Sequence, residues 1–103
     1  MHLPENPVHS LKVPVVVRDA YILALEHASG MHFIHCDVKS WGPKIAIRLG
    51  YDFKRLQYLV NSPIYALHDP QDHKHAKFLG MYGFEHLCDF VDADGSEKQL
   101  YKA

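Results

Sequence analysis

Between Ser40 and Asn61, apolar residues recur at Ile45, Leu49, Phe53, Leu56 and Val60. Steps of three and four bring all five onto one stripe of an α-helix. A long helix with a single apolar stripe must bury that stripe against another layer, so the chain has to supply a partner for it. Ser40 is placed to cap the helix, and Pro43 falls in its first turn, where a missing N–H costs nothing.

The flanking segments supply that layer. Residues 31–38 form a short, mostly apolar run that ends at Lys39-Ser40 and predicts a strand. Pro63 opens Ile64-Tyr65-Ala66-Leu67, a second strand that His68-Asp69-Pro70 halts. Asp72 can cap a second helix, with His75, Phe78, Leu79 and Tyr82 on one face and Gly83 ending it. Residues 84–91 and 97–101 flank Asp92-Ala93-Asp94-Gly95, which is turn chemistry, and predict a hairpin. Upstream, Pro14 at a first helical position, a stripe of Val17, Tyr21, Ala24, Leu25 and Ala28, and a Ser29-Gly30 stop predict a helix over 14–28. The adjacent valines argue the other way, because β-branched residues favour strands. Residues 1–13, with Pro4 and Pro7, predict an extended arm with a short strand over 8–13.

Strand, helix, strand, helix and hairpin predict an α/β domain over 14–103, or α+β where the hairpin dominates. The expected sheet is mixed but mostly parallel, with two β-α crossovers and an antiparallel C-terminal hairpin at one edge. A chain of 103 residues predicts one domain, or a fragment that completes itself by pairing. At this size a core is small enough for self-association to help. Twelve acidic and eleven basic residues give a net charge of -1, without the positive footprint that nucleic acid or an anionic membrane needs. No apolar run approaches a membrane span. Two cysteines, Cys36 and Cys88, are too few for a disulfide framework, which points to a reducing cytoplasm.

The nine histidines are the compositional feature that points to chemistry. His32, His35, Cys36 and Asp37 end the first core strand, His68 and Asp69 end the next, and Asp72, His73 and His75 open the following helix. In such sheets ligands bind beyond the carboxyl ends of the strands. These residue types suit zinc or iron. Strand alternation, however, puts His32 and His35 on opposite faces and lets only His32 with Cys36, or His35 with Asp37, share one. Histidines satisfied by neighbours are the simpler reading. A Cys36 thiolate with His68 as its base is the nucleophilic alternative. No phosphate-binding glycine loop, dinucleotide fingerprint or nucleophile elbow is present.

The segment from Asp72 through His75, Phe78 and Leu79 to Gly83-Phe84 resembles the closing helix and strand start of GNAT-type N-acetyltransferases. The order of elements over 31–103 is similar to the C-terminal half of that fold. The same histidine, Phe-Leu and glycine also resemble short phage-encoded members, including podovirus internal virion proteins. The resemblance implies acetyl-CoA as cofactor if the protein is active, with strands 31–38 and 63–69 splaying to admit pantetheine. It implies cofactor contacts from Lys39, Ser40, Trp41 and Gly42 ahead of the long helix, and from His75 and Phe78 in the closing one. The family's Gln/Arg-x-x-Gly-x-Gly/Ala loop is reduced here to one glycine beside a bulky Trp41 and Pro43, which lacks an N–H. Leu79 stands where many members carry a tyrosine acid, and leucine cannot protonate a thiolate. Residues 1–30 hardly provide the elements that build the acceptor site, so a half-fold would pair with a second copy or have lost catalysis.

The expectation is a non-catalytic GNAT-like phage protein, either a virion component or a protein-interaction module, with a protein partner or a homodimer. It would need no cofactor and would reside in the virion or the cytoplasm of a bacterial host. The alternatives are a minimal acyl-CoA-dependent N-acetyltransferase with His35, Asp37 or His68 as base, and a small metal-binding protein using Cys36, Asp37, His68 and His75.

Overall fold

The computed structural model describes residues 11–103. Residues 1–10 of the expected arm lie outside the described residues, and of the strand expected over 8–13, Lys12 and Val13 are found as strand. In chain order the elements are β1 (Lys12–Val17), β2 (Tyr21–Ala28), β3 (Met31–Val38), α1 (Pro43–Val60), β4 (Ile64–His68), α2 (His73–Met81), β5 (Glu85–Val91) and β6 (Glu97–Lys102). All six strands join one mixed sheet in the order β1-β2-β3-β4-β6-β5. The fold is a small α+β domain.

The helix expected over 14–28 is instead a pair of antiparallel strands, and β1 runs across the expected boundary at residue 14. Alternation explains the outcome. Val16, Tyr21, Leu23 and Leu25 pack into or against the core, while Val17 and Ile22 pair on the opposite side. The β-branched valines fit the pleat better than a helical turn. Pro14 is tolerated because β1 is an edge strand, and the register shifts between Pro14 and Val16. Ser29-Gly30 does not stop a helix. It is a two-residue hairpin loop between Ala28 and Met31, with φ of 53° and 75°.

A second correction concerns strand direction. Only β3 and β4 run parallel among the described pairings. The chain leaves β4 through α2, forms β5 at the edge, and returns as β6 between β5 and β4, so every other pairing is antiparallel. The hairpin thereby covers the edge that β4 would otherwise expose.

Both helices lie on one face of the sheet. Leu49, Phe53 and Leu56 of α1 and Leu79 of α2 meet Tyr21, Leu23, Ile64 and Ala66 of the strands, with Phe84 completing the core. Phe53 and Phe84 stack with ring centres 5.2 Å apart. The Tyr82 hydroxyl donates to the Ala46 carbonyl at 2.9 Å and ties the end of α2 to α1. At the other end of the core, Asp52 of α1 accepts from the buried Tyr21 hydroxyl at 2.5 Å and from Arg18 at 2.8 and 3.0 Å. This clamp fixes the β1–β2 turn on the helix layer.

The alternate side chains, including Phe33, His35, Tyr65, Leu67 and Leu100, occupy the other face. No helix crosses that face among the described residues.

Candidate functional site

The parallel ladder between β3 and β4 holds only His32 with Ile64 and Phe33 with Tyr65. Beyond those pairs β3 continues to Val38 alongside β2, and β4 continues to His68 alongside β6. Each half of the sheet stays intact while the two halves part. The gap is a cleft of about 450 Å³ that passes between the strands. Phe33, His35 and Leu67 line it from the open face, and Cys36, Ala66, His75 and Phe78 line it from the helix face.

Alpha-helix α2 forms the wall on the helix side. Asp72 accepts from the His75 amide at 3.0 Å and starts that helix at the mouth of the cleft. His75 stacks on Phe78 with centres 6.3 Å apart. Its Nδ1 lies 2.9 Å from Nδ1 of His68, which is buried at 2% exposure and meets the Tyr101 ring edge-on. One Nδ1 must donate and the other accept, so the contact requires that at least one of those nitrogens carry no proton. Burial, and then the neighbouring His68, push the His75 pKa below the ordinary histidine value. Both effects favour the neutral form of His75.

The three base candidates are not brought together. His35 lines the cleft from the open face, and its Nε2 lies 2.6 Å from the Glu26 carboxylate across the β2–β3 pair. Asp37 shares that face but sits at the exposed end of β3, outside the cleft lining. His68 is on the helix side with its ring committed to His75. Burial, followed by the Asp37 charge, pushes the Cys36 thiol up to about 11, so it is protonated at neutral pH. Among the described residues no three His, Cys, Asp or Glu side chains gather to hold a metal ion.

The loop ahead of α1 does not resemble a phosphate cradle. The Lys39 and Ser40 amides donate to the Ala20 carbonyl at 2.7 and 3.2 Å, which fixes the loop to the β1–β2 turn. Gly42, and not Ser40, is the N-cap, and it provides no side-chain cap. Pro43 has no N–H, and the Ala46 amide bonds back to Gly42. Lys44 and Ile45 are left as the donors of the first turn. Trp41 is 47% exposed and leans toward Phe78, with ring centres 6.5 Å apart. Of the residues expected to hold a cofactor, His75 and Phe78 line the cleft, whereas Lys39, Ser40, Trp41 and Gly42 do not. Leu79 is in the core at 1% exposure. The Tyr82 hydroxyl near the end of α2 is held by Ala46, outside the cleft.

Sequence reasoning missed Glu26 as the partner of His35 because it placed residue 26 on a helix. Alternation across a Ser-Gly hairpin would have put both on one sheet face. Lys74, at the cleft mouth, carried no such signal. No helix among the described residues is long and apolar enough to cross a membrane. Compared with family models, with curated proteins and with solved structures, the chain returns no match.

Proposed function

We propose that this chain is a GNAT-like module that works through protein contacts instead of acyl transfer, as a phage virion component or an interaction protein in the bacterial host. The observation that carries this reading is the open sheet face. It presents Phe33, Tyr65, Leu67 and Leu100 with no helix over them among the described residues, and Leu67 is 47% exposed. Apolar side chains grouped on an open sheet face are the kind of surface a protein partner covers.

The chemistry of the cleft supports the same reading. Acyl transfer from CoA needs backbone donors for the pyrophosphate and an acid for the leaving thiolate. Here the Lys39 and Ser40 amides are bonded to Ala20, Leu79 is packed in the core, and the Tyr82 hydroxyl is held by Ala46. The residues present do not fit the diphosphate of CoA.

One observation favours a second reading, a minimal acyl-CoA-dependent N-acyltransferase. The strands part after Phe33 and Tyr65, and His35, braced by Glu26, lines the opening as a base. Isothermal titration with acetyl-CoA, with CoA alone as a control, separates the two. The interaction reading expects no heat at millimolar cofactor. Micromolar binding would overturn it and turn attention to the acyl acceptor.

A further inference from the structure

We propose that the open sheet face is covered by a second copy of this chain, related by a two-fold axis that runs parallel to the strands between β3 and β4. The inference rests on the reading of the chain as an interaction module and names the partner.

The first argument is area. Six strands spaced about 4.8 Å apart, each roughly 20 Å long, present roughly 500–700 Å² per copy, or about 1,000–1,400 Å² for a pair. Stable interfaces begin at about 1,200 Å² in total, so the face is of dimer size. A short peptide would leave much of it in water.

The second argument is charge. Level with Phe33, the register sets Lys12, Glu26, Phe33, Tyr65, Lys102 and Glu85 in one row across the sheet. The row reads positive, negative, aromatic, aromatic, positive, negative. Turning it over about the proposed axis lays β1 on β5, β2 on β6 and β3 on β4. Lys12 then faces Glu85, and Glu26, while still holding His35, faces Lys102. Each charge meets its opposite, twice per dimer. One step along the strands, Ala24 meets Leu100, which adds an apolar contact beside that row. An axis across the strands would instead lay Lys12 on Val17 and lose the pairing. Self-complementarity of this kind is what an isologous interface requires, and the roughly 30° between packed sheets is within reach of long Lys and Glu side chains at the rim.

The closed dimer would also seal the cleft on the His35 side, because Phe33, His35 and Leu67 line its open-face mouth.

The test is sedimentation velocity on the full chain, from about 1 to 200 µM, a range that brackets a micromolar Kd. The mass should double across it. Leu100→Asp should weaken the dimer at least about tenfold, because it places a carboxylate against Ala24 in both halves. Glu85→Lys alone and Lys12→Glu alone should each raise the Kd roughly two- to tenfold, and the double exchange should restore it. Both positions are exposed, so the charge series decides the matter even if Leu100→Asp fails to fold. A chain that stays monomeric throughout overturns the proposal, as does a dimer indifferent to Leu100→Asp and to the charge exchange. A dimer that binds acetyl-CoA would overturn the interaction reading while leaving this interface in place.

Discussion

The two faces of the sheet are built from the same strands with the same alternation, yet they have opposite environments. On one side Tyr21, Leu23, Ile64 and Ala66 are sealed under α1 and α2. On the other, Phe33 and Tyr65 lie with ring centres 6.1 Å apart, and Leu67 and Val17 stay largely exposed. The strand order accounts for the asymmetry. From β3 to β4 and from β4 to β5 the chain moves in one direction across the sheet. Two right-handed crossovers made in one direction place both helices on one side. The topology thus settles which face the two helices cover before any side chain is chosen, and an apolar residue on the other face is packed under neither of them.

The largest expected effect follows on the covered face. Phe53 is buried against Phe84, and Phe53→Ala should cost about 3–5 kcal/mol in urea unfolding, through lost transfer energy and the cavity left behind. For a domain of this size that can exhaust the stability. A loss below about 1 kcal/mol would mean that the helix layer is not the core, and the contrast between the faces would fail.

The Asp52 clamp comes next. Asp52→Ala leaves the buried Tyr21 hydroxyl without an acceptor and should cost about 1–3 kcal/mol. Tyr21→Phe made in that background should recover part of the loss, because the orphaned hydroxyl is gone. The wild-type clamp has a pH signature as well. Hydrogen bonds from Arg18 hold the Asp52 carboxyl below its ordinary value of 3.8. Its contribution is therefore complete above that value and disappears as the pH falls through the depressed one. A thermal-melting profile that is flat through this acid range in wild type and Asp52→Ala alike would show that the clamp adds nothing.

How much of this could be read from the sequence differs by region for a physical reason. The periodicity of α1, the Asp72 cap of α2 and the Asp-Gly turn of the last hairpin are local signals, and the structure keeps each element. Residues 14–28 satisfied a helical stripe and a β-branched strand pattern together, and tertiary pairing with β3 decided between them. In the cleft, His75 and Phe78 were legible because they lie on a helix whose register was right. The separation of His35 from His68 was partly legible, since it depends only on alternation and on which face the helices cover. The bonding of the Lys39 and Ser40 amides to Ala20 was not legible, because that carbonyl belongs to a turn that sequence reasoning placed inside a helix.

Histidine titration gives a smaller effect on the helix side of the cleft. Burial and His68 hold the His75 pKa below the ordinary 6.5, so the unfolded chain binds a proton that the folded one refuses. The stability that comes from keeping His75 neutral is complete above 6.5 and is lost as the pH drops through the depressed folded value. Melting temperature should therefore fall between pH 7 and 5, by less than the Asp52→Ala change, and His75→Phe should flatten the profile. An unchanged slope in His75→Phe would place the titration elsewhere.

The smallest stability effect should belong to the open face, and it sharpens the comparison most. Leu67 is about as large as any core leucine, so size alone predicts the cost of Leu49→Ala, about 2–5 kcal/mol. It is instead 47% exposed, with no helix above it among the described residues. Leu67→Ala, measured at concentrations low enough to hold the chain monomeric, should stay within about 0.5 kcal/mol of wild type. At high concentration the same substitution should lower the melting temperature relative to wild type, since stability gained by association scales with the occupancy of the dimer. A variant equally stable with wild type at both concentrations would leave Leu67 without a partner in either state. A variant destabilised equally at both would put Leu67 in the monomer's own core. Only a cost that appears as the protein is concentrated matches a face completed by a second chain.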